Sequence, residues 1–541
     1  MAPPQQQRSL ISGFFRSLLA NPGSPSLELG EQSLSYEQLW NYAGRITACL
    51  KDTLDPSEKV VAVLADRSIG AYGGILGVLG SGRGYVPLNP KFPPERTLIM
   101  LRASGCKTLV VGQECAATLE ALLSRLDESL DKPLTLIIPD SGWEPASKPL
   151  SAQLLSPHRV ILARRLSKIA DPRDPMVDGS DTAYLLFTSG STGVPKGVAV
   201  SQSNAVAYME YAAKRFGMHG GDRCSQNFDL TFDLSVHDLF TCWDGGATLC
   251  PYTEQTLTPA TLVDEKELTC WFSVPSVAMF ASKLGLLEPG AFPSLRWSLF
   301  CGEALSASLA ASWQQAANNS VLENLYGPTE ATIAITYYRW DSATSPAECV
   351  RGLVPIGWPF DGQQVCAVNE DLVPVPPGES GELCLGGSQV TRGYLNDPEK
   401  TAKSFVRLKN TGDQVWYRTG DLVRQDARGC LFYLGRRDFQ IKVNGYRVEL
   451  QEIDLVLREA ARTELAVAIP WPLSEGSASG IVGVLSGSDP AQDEQIIAAC
   501  ETRLPRYMVP NRIYHFPQIP LNVNGKIDRG KITEMLANWG Q

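Results

Sequence analysis

Residues 188–197 read TSGSTGVPKG, a run of hydroxyls and glycines that ends in one ammonium. Glycine leaves backbone N–H groups uncovered, and the hydroxyls with Lys196 add further donors, so the segment is chemically suited to phosphate oxygens. It is not a P-loop, because Lys196 follows Pro195 and precedes Gly197 instead of sitting between glycine and a hydroxyl residue. By composition alone it is equally a flexible linker. The flanks favour a ligand loop: AYLLFTSG enters as an apolar strand, and KGVAVSQSNAVAYMEYAAKRF leaves through a short strand into a helical pattern with Ser201 or Ser203 as N-cap. Further segments carry acids, aromatics and lysines between glycines. They are FDLTFDLSVHDLF (228–240), LFCGEAL (299–305), NLYGPTEATIAI (324–335), YRTGDLVR (417–424), GRRDFQIKVNGYRVEL (435–450) and LNVNGKIDR (521–529).

The elements that must position these residues follow an α/β pattern. VVAVLAD, GYVPLNP and TLVVGQ read as strands, with helical patterns through GAYGGILGVLGSG and from Pro94 between them, which predicts largely parallel sheets. From Val354 the texture changes to short strands and turns, a β-rich subdomain over about 354–437. A charged hairpin and an amphipathic helix then open a compact α+β tail, so we expect an N-terminal core over 1–437 and a small C-terminal domain over 438–541. At 541 residues the chain is too long for one core. Its formal charge of −10 gives no overall attraction to nucleic acid or anionic lipid. The chain has no long apolar span and no signal-peptide pattern at its N-terminus, which reads as a lead-in helix, and we expect a cytoplasmic enzyme. Thirteen cysteines without a C-x-x-C and four scattered histidines predict reduced thiols and no structural zinc site.

Six segments in this order, with LGSGRGYVPLNPKFPPER near residue 79, resemble the adenylate-forming (ANL) superfamily, in particular the amino-acid adenylation domains of non-ribosomal peptide synthesis, prolyl-AMP ligases and D-alanine–carrier protein ligases. The resemblance runs from LSYEQLW at 34 to GKIDR. It implies that ATP and Mg2+ are used. The loop Thr188, Ser189, Gly190, Ser191, Thr192, Gly193 and Lys196 would wrap the β,γ-phosphates and then release pyrophosphate. Gly302, Glu303, Asn324, Tyr326, Gly327 and Thr329 would surround the purine and phosphates, Asp421 and Arg436 the ribose, and Glu330 would carry the metal. Lys526 would reach substrate carboxylate and α-phosphate together, so Thr188, Glu330 and Lys526 are the expected catalytic set. Asp438 would be a hinge about which the small domain swings, exchanging the Lys526 loop for the segment Lys442 to Gly445 and opening a path for a phosphopantetheine thiol.

The same resemblance implies a substrate. Asp233 stands where amino-acid-activating members pair the α-ammonium, although it also precedes an apolar stretch as a helix N-cap would. Leu234, His237, Phe272, Leu299, Cys301, Leu325, Ile333 and Ala334 complete an apolar wall with no second charge, which predicts a small apolar amino acid. L-proline suits the Phe272, Leu299 and Ile333 wall; D-alanine is the alternative, and an acyl-CoA ligase for a non-amino acid is the rival of another class. His237 departs from the expected apolar residue: it can line the pocket, bond a backbone carbonyl or sit in the core. LGGSQV (385–390) mimics a carrier attachment site but reads as a strand of the β subdomain. With only a dozen residues after GKIDR, the thiol acceptor is expected to be a separate carrier protein, with release of free aminoacyl-AMP or transfer to coenzyme A as alternatives.

Overall fold

The computed structural model describes residues 8–126, 133–140, 155, 157–190, 195–253, 256, 258–437, 440–443, 445–463, 465–474, 477–486, 490–520 and 527–538. Two large sheets carry the N-terminal part. One has seven strands, parallel except for the last hairpin partner, with Val60–Leu64 and Gly84–Leu88 at its centre and Thr182–Thr188 followed by Lys196–Ser201 at one edge. The other has nine, with Arg223–Gln226, Cys270–Ser273, Trp297–Phe300 and Val321–Tyr326 running parallel in its middle. The expected strands and helices of the first 111 residues all form, and the lead-in helix spans Ser12–Ala20.

Strand period decides which residues can build a site. Successive side chains point to opposite faces, so Phe272 and Leu299 enter the core between the two sheets while their neighbours Trp271 and Phe300 pack with Trp313 on the far face. The helices Gln202–Phe216 and Leu234–Asp244 cover the first face. Ser201 is the N-cap of the former, its hydroxyl accepting from the Asn204 N–H in a capping box. Glu323 ties this helix to the sheet: fully buried, it accepts from Arg215 Nη2 at 2.6 Å and from Arg339 Nε at 2.9 Å. That pair holds the strand that carries Asn324 and Tyr326.

The β-rich region forms a five-stranded antiparallel sheet that includes Ser380–Gly387, Trp416–Gln425 and Leu431–Arg436, so GELCLGG is a strand as expected. The smaller C-terminal domain has its own core, built on the three-stranded sheet Ala466–Pro470, Ile481–Leu485 and Ile513–His515 against the helices Leu450–Ala461, Asp493–Glu501 and Arg529–Ala537. All thirteen cysteines are unbridged and ten are buried. No helix among the described residues is long and apolar enough to cross a membrane.

Removing one member of a buried ion pair strands the other charge, so Glu323→Ala should cost roughly 3 kcal/mol of unfolding free energy. Chemical denaturation measures this, and a loss within 0.5 kcal/mol, about the scale of an ordinary surface substitution, would remove Glu323 as a strut.

Candidate active site

A cavity of about 560 Å³ opens where the parallel strand Val321–Tyr326, the β-rich sheet and the hairpin Gln440–Glu449 converge, and Gly302, Glu303, Asn324, Leu325, Tyr326, Asp421, Arg436 and Lys442 line it. Asp421 and Arg436 are register partners on adjacent strands. Arg436 Nη1 donates to Asp421 Oδ1 at 2.7 Å and the Tyr326 hydroxyl donates to Oδ2, so three of the expected residues form one charge-assisted chain. The Arg436 side chain is 15% exposed, which sets it apart from a solvated surface salt bridge. Asn324 spends its amide on the Pro355 carbonyl at 2.9 Å, while its Oδ1 is buried with no partner among the described residues. An unmet acceptor of this kind costs about 1–3 kcal/mol, and an exocyclic amine would satisfy it. Gly302, at φ +93°, lets the chain turn beside the cavity where a side chain would press on Val274.

The phosphate-suited loop begins where its flanks place it. Thr188 ends one strand and Lys196 opens the next, and the two are antiparallel register partners. Ser191, Thr192 and Gly193 lie outside the described residues. The Thr188 hydroxyl is buried with no partner among the described residues. The other donors meet the C-terminal domain: the Ser189 hydroxyl donates to the Arg447 carbonyl at 2.8 Å, the Gly190 N–H to Glu452 Oε2 at 3.3 Å, and Lys196 Nζ to Glu449 Oε1 at 3.1 Å. Arg96 holds the other Glu452 oxygen at 2.6 Å. Two carboxylates therefore sit on donors that would suit phosphate.

Glu330 is fully buried. Burial pushes its pKa up, but Arg447 and Lys196, with the Tyr394 hydroxyl, overcome that and hold it down at about 2. Arg447 Nη1 donates to one carboxylate oxygen at 2.8 Å and the Tyr394 hydroxyl to the other at 2.7 Å. A permanently ionised carboxylate is the right donor for a hard divalent cation. Both of its oxygens are engaged here, so such an ion and Arg447 are alternatives for one charge.

Beside this lies a second cavity, where Asp233, Leu234, Gly327, Thr329 and Lys442 meet. Asp233 occupies the N-cap position of the helix Leu234–Asp244 but makes no capping bond; its Oδ2 accepts from the Ile333 N–H at 3.0 Å. That N–H is aimed by backbone strain, since Thr332 and the β-branched Ile333 have φ of +59° and +73°. Gln389 holds the strained turn: buried, it donates to the carbonyls of Ala331, Thr332 and Ala334 and accepts the Thr332 hydroxyl on its own carbonyl. The LGGSQV segment is thus a buttress of the site. Burial raises Asp233 to about 7, and the carboxyl has no cationic partner among the described residues. Leu234, His237, Phe272, Leu299, Cys301, Leu325, Ile333 and Ala334 are all buried in one continuous core. His237 is buried in the core, and among the described residues its ring meets the Tyr208 hydroxyl, which lies 2.7 Å from Nδ1.

A family model described as AMP-binding enzyme matches residues 14–395. The D-alanine–D-alanyl carrier protein ligase of Bacillus licheniformis is 30% identical over 518 residues, covering 93% of this chain and 95% of that protein. The chain belongs to the AMP-binding, adenylate-forming enzymes. It also matches 8% of the far longer tyrocidine synthase 3 of Brevibacillus parabrevis, at 31% identity over 98% of this chain. Among solved structures, the Vibrio cholerae adenylation domain AlmE in complex with glycyl-adenosine-5'-phosphate superposes with a TM-score of 0.86 at 33% identity over 99% of both chains.

In this AMP-binding enzyme the expected catalytic Lys526 and the expected hinge Asp438 lie outside the described residues. The alternative face, Lys442 to Gly445, stands at the site: Lys442 lines both cavities, burial lowers its pKa, and the Gly445 N–H donates to Glu303. Sequence reasoning assigned no role to Arg447 and Glu449 in the hairpin segment, to Arg96 at the end of LGSGRGYVPLNPKFPPER or to Gln389 in LGGSQV, and it missed Glu452 and Tyr394 altogether. A signal existed for Arg447 and Glu449, because a guanidinium and a carboxylate two residues apart on one strand of a glycine-turn hairpin share one face.

Gly445 is the steric key of this arrangement. Its φ is +84°, and an added Cβ would stand 2.5 Å from Val274 Cγ1. Gly445→Ala should therefore undock the hairpin and enlarge the radius of gyration seen by solution X-ray scattering; an unchanged profile would show that this contact does not hold the two domains.

Proposed function

We propose that this protein activates a small amino acid with ATP as its aminoacyl-AMP, releases pyrophosphate, and passes the aminoacyl group to the phosphopantetheine thiol of a separate carrier protein in the cytoplasm. One observation carries the reading: a buried carboxyl, Asp233, with no cationic partner among the described residues, on a cavity that adjoins a nucleotide-sized one. A buried acid in that state is completed by an ammonium. The carrier-protein step is supported by the full-length similarity to a D-alanine–D-alanyl carrier protein ligase, and the small size of the substrate by the similarity to a domain crystallised with glycyl-adenosine-5'-phosphate.

On this reading Asn324 and Tyr326 hold the purine, and Asp421, fixed by Arg436, accepts from the ribose hydroxyls. Thr188, Ser189, Gly190 and Lys196 receive the phosphates once Glu449 and Glu452 withdraw. Magnesium, held by Glu330, supplies charge neutralisation on the phosphate oxygens. Asp233 orients the amino acid so that its carboxylate faces the α-phosphate, where Lys526 neutralises the charge that develops. Return of the hairpin then places Arg447 on Glu330 and closes the phosphate loop against pyrophosphate. The domains are proposed as 1–437 and 438–541, with Asp438 as the hinge.

Within the small amino acids, the aromatic and aliphatic wall of Phe272, Leu299 and Ile333 is our basis for L-proline. D-alanine is the second reading, favoured by the tightness of that wall, in which none of the three side chains is more than 3% exposed. Amino-acid-dependent ATP–pyrophosphate exchange across L- and D-amino acids tests the proposal; exchange with fatty or aryl acids alone would overturn it.

Asp233 must be ionised to meet the ammonium. Its raised pKa therefore places the acid limb of kcat/KM for the amino acid near pH 7, with rate present above and lost roughly tenfold per pH unit below. Asp233→Ala should lose about 3–5 kcal/mol of amino-acid recognition while ATP affinity persists. A parent profile flat from pH 5 to 8, roughly the span over which such a group would titrate, would separate Asp233 from substrate recognition. Lys526→Ala should slow exchange roughly 10²–10³-fold, the scale for removing one donor from a developing oxyanion; full exchange in that variant would exclude the lysine from the first step.

A further inference from the structure

Tyr208 belongs to no motif, yet its hydroxyl is the hydrogen-bond partner of the His237 ring among the described residues. It projects from the middle of the helix Gln202–Phe216 and is fully buried. Its hydroxyl lies 2.7 Å from His237 Nδ1, and the imidazole is braced on two further sides, by Phe272 with ring centroids 4.6 Å apart at 66° and by Phe216 at 5.4 Å and 83°. His237 follows Asp233 by four residues, so both face the same way from one helix, about 6 Å apart along its axis. The acid that would anchor an α-ammonium and the imidazole thus stand one turn apart on the same side of that helix.

Both partners are neutral. Burial pushes the His237 imidazole down to about 3, and the Tyr208 phenol is held well above its usual range by burial first and by neighbouring Cys301, Tyr211, Asp233 and Asp238 next. A neutral imidazole has no ionic partner to fix its rotation, and its ring is small enough to turn within an aromatic cage. The hydrogen bond from α-helix to α-helix supplies that fix. Without it, Nδ1 is an unmet polar atom inside an apolar wall, which favours any rotation that finds another partner.

We propose that Tyr208 is the positioning residue that locks His237 as the floor of the amino-acid pocket, and that this locked floor sets the largest side chain the enzyme activates. The inference rests on the amino-acid-activating reading above. It assigns specificity to a side chain that touches the substrate only through another residue, on a helix that carries none of the sequence-predicted pocket positions.

The test is amino-acid-dependent pyrophosphate exchange by the full-length parent, Tyr208→Phe and His237→Ala, each with glycine, alanine, proline, valine and leucine. Tyr208→Phe keeps the ring and removes only the hydroxyl. The expected result is that KM for the best parental amino acid rises about tenfold with kcat and KM for ATP unchanged, and that the ratio of kcat/KM for the next larger amino acid to that for the best one rises by a similar factor. His237→Ala should shift the same ratio further in the same direction. Equal losses for every amino acid in Tyr208→Phe, or an unchanged ratio in both variants, would overturn the proposal. A parent that exchanges with no amino acid would instead overturn the functional reading and this inference with it. ATP binding by each variant reports that the fold is retained.

Discussion

A carboxylate with no exposure to water has to be accompanied by positive charge, and Glu330 imposes that condition on the whole molecule. Taking one ion out of water costs several kcal/mol even after relaxation, and a partner removes most of that cost only at short range. Here the partner comes from the other domain: Arg447 reaches Glu330 from the hairpin, with Lys196 and the Tyr394 hydroxyl close by. The small domain is therefore held where an unpaired acid needs it. An ion delivered with a nucleotide would meet the same need, so occupancy of the nucleotide site and docking of this face compete for a single charge.

The neighbouring contacts repeat that logic with the signs reversed. Lys196 and the Gly190 N–H are donors suited to phosphate, and in this arrangement Glu449 and Glu452 occupy them. Arg96 keeps Glu452 from being a lone buried charge. The hairpin presents negative groups to those donors and a positive group to Glu330. Electrostatic complementarity of this kind specifies which face of the small domain docks, and steric fit at Gly445 specifies how closely.

The cavity at Asp233 stands under the opposite condition. Asp233 is buried without a cation, and the structure offsets part of that cost with one backbone N–H from a strained residue, Ile333. Gln389 maintains the strain from the turn that follows the strand Ser380–Gly387. A site left incomplete in charge but rigid in position is pre-organised for an ammonium and tolerant of little else. One turn along the same helix, a neutral Tyr208–His237 pair is buried without adding charge.

Much of this was legible in the residues themselves. Glycine, hydroxyl and lysine spacing marked a donor-rich loop between two strands, strand period placed Phe272 and Leu299 on one face, and Tyr326, Asp421 and Arg436 stand together, because chemistry confined to one loop or one strand pair leaves a local record. The partnerships of Arg447, Glu449, Glu452, Gln389 and Tyr208 left no such record. Each depends on a contact between elements distant in the chain, Gln389 with a turn some 55 residues away and Arg447 with an acid 117 residues away. The sequence alone determined which donors and acids exist and on which faces they lie. Only the tertiary structure decided which of them neutralise one another, since desolvation, which makes a charge need its partner, is a property of the packed interior and not of the residue.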